Sequence, residues 1–88
     1  MTQEHSIEEI MKVVSAKLAE LRKQKGYTSH ENFAIDHNIA RMQYWRIEKG
    51  KTNITLKTLV KLLAIHQVSL NDFFADLNLP NNTIEDVE

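Results

Sequence analysis

The stretch Thr28 to Gly50, TSHENFAIDHNIARMQYWRIEKG, decides the fold. Ser29 is a good helix N-cap, because its hydroxyl can accept an otherwise unpaired amide from the turn His30 to Phe33. A helix therefore starts there. Asn38 follows, and Asn is one of the few non-glycine residues that tolerates the left-handed backbone of a sharp turn. A second helix is expected from about Ala40 to Lys49, with Tyr44 and Ile47 on one face and Gly50 as its stop. Its other face carries Arg41, Met42, Trp45, Arg46 and Lys49, an unusual set for a plain solvated surface.

Two short helices joined by a turn of about three or four residues are the signature of a helix-turn-helix, whose second helix would enter a major groove. The rest of the chain is compatible with such a unit. At 88 residues it supports one core and one domain. With 42% apolar and 26% charged residues it is ordinary for a folded domain. There is no Cys, hence no disulfide framework and no thiolate zinc site. No apolar run approaches the roughly 18 residues of a membrane span, and MTQEHS does not open a signal peptide, so no membrane partner and a cytoplasmic location are expected.

The formal charge of −1 hides an uneven distribution. All 11 Lys and Arg lie between Lys12 and Lys61, where only Glu20, Glu31, Asp36 and Glu48 oppose them. The other eight acids lie outside, three before Met11 and five from Asp72 onward. A basic centre between acidic ends suits a polyanionic partner at the helix-turn-helix.

Upstream, Ser6-Ile7-Glu8-Glu9 fits a capping box. Ile7, Ile10, Met11, Val14, Leu18 and Leu21 then form a stripe of helical period, so a first helix is expected from Ile7 to about Lys25, stopping at Gly26. Downstream, KTNIT forms a loop with Thr55 as the next N-cap. A fourth helix is expected from Leu56 to about Gln67, burying Leu56, Leu59, Val60, Leu62 and Leu63. Ser69 caps a short fifth helix carrying Leu70, Phe73 and Phe74. The expected fold is all-α: a compact five-helix domain over residues 1–78, with an acidic tail, residues 79–88, that is frayed or arm-like.

Catalytic chemistry finds no foothold. His5, His30, His37 and His66 make no HExxH or Cys/His ligand pattern, and two glycines cannot build a phosphate loop. No nucleophile motif is present, so no enzyme, metal or cofactor is expected. His37 and His66 would be pH-sensitive if the fold paired them.

Ser29, Glu31, Phe33, Ala34, Ile39, Arg46, Ile47, Glu48, Lys49 and Gly50 fall in register with a known pattern: the stretch resembles the lambda-repressor-like Cro/cI family, also called XRE. It departs at His30 for Gln, His37 for Leu, Asn38 for Gly and Ala40 for Ser, with one extra residue near Thr28. The resemblance runs from about Leu18 to Phe74 and departs again at His66, for an apolar residue, and Gln67, for Gly. The family has leucine where His37 and His66 stand, so the resemblance implies that both are core or half-core residues with a backbone partner. The first helix is longer than the family's, which matches only LAELRKQKG.

The resemblance implies a sequence-specific transcriptional regulator of bacterial or phage type, foremost a repressor, binding a palindromic operator in double-stranded DNA as a homodimer. Arg41, Met42, Gln43 and Arg46 would meet base edges, Arg on guanine, Gln on adenine and Met on a thymine methyl, with a phosphate as the alternative for Arg46. Ser29, His30, Trp45, Lys49, Lys51 and Thr52 would meet the backbone, Trp45 equally suiting partial burial beside Tyr44. Arg22 and Glu48 match a family ion pair that serves as scaffold, and Phe73, Phe74 and Leu77 a family dimer contact. Two other readings stay open: an antitoxin that represses its own operon and holds a protein partner on helix 1 or the tail, and a helical interaction module without DNA binding.

Overall fold

The protein is described by a computed structural model over residues 2–79. These residues form five helices, α1 Thr2–Gln24, α2 His30–Asp36, α3 Arg41–Glu48, α4 Leu56–His66 and α5 Leu70–Ala75. The proposed tail, apart from Leu79, lies outside the described residues. No described helix is long and apolar enough to cross a membrane.

The core is built where the apolar faces of all five helices converge: Val14 and Leu18 from α1, Phe33 and Ala34 from α2, Tyr44 and Ile47 from α3, Leu59, Leu62 and Leu63 from α4, and Phe73 from α5. Phe33 is its hub, with the rings of Tyr27, His37, Tyr44 and His66 all within 4.5–5.8 Å of their neighbours in one aromatic cluster. Fully burying a side chain of this size contributes about 1.5–3 kcal/mol.

Four helices end in the same way. At Gly26, Asn38, Gly50 and Gln67 the backbone turns left-handed, with φ of 102°, 59°, 68° and 59°. In each case the next amide reaches back five residues: Tyr27 to Arg22, Ile39 to Ala34, Lys51 to Arg46 and Val68 to Leu63, at 2.8–3.2 Å. This is the Schellman motif, which satisfies carbonyls that a helix end leaves unpaired. Ser29, Thr55 and Ser69 accept amides of the first turns of α2, α4 and α5, as their spacing suggested. Ala40 caps α3 with no side-chain hydrogen bond.

Two expectations fail. The first helix begins at Thr2, so Ser6 lies inside it and does not cap it. A capping box contributes only about 1 kcal/mol and halts nothing upstream when no Gly or Pro precedes it. Leu56 and Val60 are 64% and 48% exposed, outside the core face of α4. The apolar positions of α4 span more of its circumference than the core can cover.

Candidate nucleic-acid interface

The placement of α3 begins with its buried face. Tyr44 and Ile47 enter the core at 1% and 4% exposure, and Glu48 turns toward α1. There Arg22 Nε donates to Glu48 Oε2 at 2.7 Å and Nη2 to Oε1 at 3.0 Å, a forked pair whose side chains are each 7% exposed. Arg22 Nη1 donates to the Tyr27 carbonyl at 2.8 Å, so one guanidinium joins α1, the α1–α2 loop and α3. The bond to Glu48 raises the Arg22 pKa above its ordinary value, holding the charge in place despite burial. Burial pushes the Tyr44 hydroxyl well above its ordinary range, keeping it neutral beside this pair.

A second clasp was not read from the sequence. The hydroxyl of buried Ser15, on α1, donates to the Ile47 carbonyl at 2.6 Å. Gly50 lies against the same turn of α1, its Cβ position 3.5 Å from Ser15 Oγ. The sequence signal was a lone Ser beside Val14 in the apolar stripe of α1, which reads as an interruption until its partner is known.

With one face of α3 held, the opposite face is fixed in space. Arg41, Met42, Gln43, Arg46 and Lys49 are all exposed, Met42 by 63%. The four expected base-contact residues thus share the outward side of one helix. Trp45 is half-buried, with Lys51 Nζ 6.0 Å from its ring centroid. His30 joins Arg41, Met42 and Trp45 around a shallow depression on that flank. The other flank is a depression formed by Asn38, Ala40 and Gln43 with Thr58 and Lys61 of α4.

Other expected contacts are placed less directly. Ser29 Oγ accepts from the amides of Glu31 and Asn32 at 3.1 and 3.3 Å, so its hydroxyl serves the cap of α2. Thr52 is half-buried and lines an apolar groove with Ile7, Ile10, Met11, Leu56 and Phe74. Phe73 is fully buried in the core, which corrects its expected place in a dimer contact: Phe74, 37% exposed, and half-buried Leu77 remain at the surface. His37 also departs from expectation: its Nε2 is buried without a hydrogen-bond partner. Among the described residues no group of three or more His, Cys, Asp or Glu could hold a metal ion.

Comparison with known proteins agrees with this geometry. Residues 18–73 match the family described as "Helix-turn-helix". The chain is also similar to "Control protein C.MunI" from a Mycoplasma species, 39% identical over 61 residues that span 69% of this chain and 82% of that protein. No solved structure matches. Five helices without a strand among the described residues, a recognition helix clasped by Arg22–Glu48, and the match over 18–73 lead to one conclusion: the chain belongs to the Cro/cI-like helix-turn-helix family and is a DNA-binding transcriptional regulator, not an enzyme.

Proposed function

We propose that the chain is a cytoplasmic repressor that binds a roughly palindromic operator as a homodimer, with residues 1–78 as its DNA-binding unit. The observation that carries this reading is the outward face of α3, where Arg41, Met42, Gln43 and Arg46 are exposed together while Tyr44 and Ile47 anchor the opposite face. Two such helices about 34 Å apart read successive major grooves, which makes the site two-fold. Arg41 and Gln43 have the donor geometry for guanine and adenine, and Met42 offers apolar contact. His30, Lys49 and Lys51 set the register through phosphates. Exposed apolar side chains on α4 and α5, Leu56, Val60 and Phe74, give a second copy a surface to cover.

The test is fluorescence anisotropy with random duplex and with the gene's own upstream region, at about 50 and 200 mM salt. Tighter binding to the upstream duplex, falling with salt, is the expected outcome. Arg41→Ala should relax base preference by about 1–3 kcal/mol, whereas Lys51→Ala should weaken all duplexes alike. Equal behaviour of the two variants would reject these roles.

The apolar groove of Ile7, Ile10, Met11 and Phe74 favours one second reading, in which a partner protein rather than DNA is the main ligand. That reading expects no salt-dependent affinity for duplex DNA.

A further inference from the structure

Gln43 and Trp45 are two residues apart on α3, which sets them roughly 160° from one another around the helix. Met42, Arg46 and Lys49 fall between them, on the side facing away from the core. The two flanks of the recognition helix are therefore distinct surfaces. His30 and Lys51 gather on the Trp45 flank, His30 through the depression it shares with Trp45 and Lys51 through its approach to the Trp45 ring. On the Gln43 flank the cation is Lys61 of α4, which lines one depression with Asn38, Ala40, Gln43 and Thr58.

Lys61 is exposed and has no acidic partner among the described residues, and α4 carries no Asp or Glu. Lys57 precedes it by one helical turn, so this face of α4 carries two cations one turn apart. A helix in a major groove lies between two phosphate strands, and phosphate contacts fix its register and tilt. Cations on the Trp45 flank alone would hold one strand and leave the tilt about α3 unset. Ala40, beside Lys61, has no hydroxyl to offer a phosphate on that side.

We propose that Lys61 contacts the phosphate backbone on the groove wall opposite the one met by His30 and Lys51, completing a two-sided grip on the operator. This rests on the operator reading above. Lys61 then acts on affinity and orientation, with no share in base readout.

The test compares wild type, Lys61→Ala, Lys61→Arg and Lys51→Ala by anisotropy on upstream and random duplexes over about 50–200 mM salt. Lys61→Ala is expected to weaken both duplexes by the same factor and to lower the slope of log affinity against log salt by about one. Lys61→Arg should keep the wild-type slope. Phosphate ethylation interference should lose, in Lys61→Ala, positions on one strand of each half-site, and in Lys51→Ala positions on the other. An unchanged melting curve for Lys61→Ala would exclude misfolding as the cause. If Lys61→Ala binds as wild type while Lys51→Ala weakens, the Lys61 contact is overturned and the operator reading stands. If wild type binds no duplex, both fall together.

Discussion

At the scale of single residues, the recognition helix is held by two contacts of unequal visibility. Arg22 and Glu48 were legible because the resemblance supplies the pairing of two charges 26 positions apart, a pairing no local pattern contains. Ser15 was not legible, because a hydroxyl within an apolar stripe carries no sign of the carbonyl it will find 32 positions later. Its bond to the Ile47 carbonyl closes the α1–α3 contact next to Gly50. Ser15→Ala removes that bond without orphaning the carbonyl, which still accepts the Gly50 amide at 3.1 Å. The expected loss is therefore that of one ordinary hydrogen bond, about 1 kcal/mol. In a domain of this size that lowers the melting temperature by about 4–8 °C, measurable by circular dichroism. An unchanged melting temperature would mean that the Ser15 clasp contributes nothing net. Operator affinity measured well below the melting transition should fall less than for Arg41→Ala, since no DNA-facing group is lost.

At the scale of elements, the helix ends explain what the sequence could disclose. Gly26 and Gly50 announce left-handed stops, and Asn38 nearly so, because these residues adopt that backbone at little steric cost. Gln67 announces nothing, yet its φ is 59° and the backbone amides of Gln67 and Val68 complete the same motif at the end of α4. The helix stops there because the α4 stripe has reached His66 and the chain must turn so that Phe73 enters the core. The five apolar positions of α4 expected to be buried likewise could not reveal that Leu59, Leu62 and Leu63 alone of them enter the core, since that depends on where α1 and α5 lie. A non-glycine residue in the left-handed region costs about 1–2 kcal/mol, partly offset in Gly by the entropy of its freer unfolded chain. Gln67 is exposed, and its side chain makes no hydrogen bond among those identified. Gln67→Gly is therefore expected to stabilise the fold by about 0.5–1 kcal/mol. Urea denaturation would register this as a higher midpoint at unchanged slope. A lower midpoint would show that the unfolded-state entropy of Gly outweighs the relieved strain.

At the scale of the whole molecule, two histidines join α2 to α4 through the hub of the core. His66 stacks on Phe33 at 5.3 Å with the rings 3° from parallel, and His37 tilts against the same ring at 4.5 Å. The resemblance marks both as positions where the family has leucine, and the fold brings them to one ring. Burial lowers the His66 pKa below its ordinary 6.5, and the positive charge of Lys25 and the nearby His37 lower it further, against a smaller opposing pull from Glu48. The folded state therefore binds fewer protons at His66 than the unfolded chain once pH falls below 6.5. Well above that pH neither state is protonated to a significant extent and His66 is neutral toward stability. As pH falls through 6.5 the unfolded chain takes up its proton first, and the loss grows until the folded pKa is reached. Urea denaturation at pH 7.5 and 5.5 should thus find the protein less stable at the lower pH. His66→Leu should remove that part of the difference while keeping the contact with Phe33 apolar. The opposite sign is physically possible, because an imidazolium over an aromatic face gains a cation–π attraction of about 0.5–2 kcal/mol. An NMR titration of the His66 ring decides between the two forces: a folded pKa below 6.5 means burial and Lys25 prevail, and a value above it would overturn the expected loss in acid.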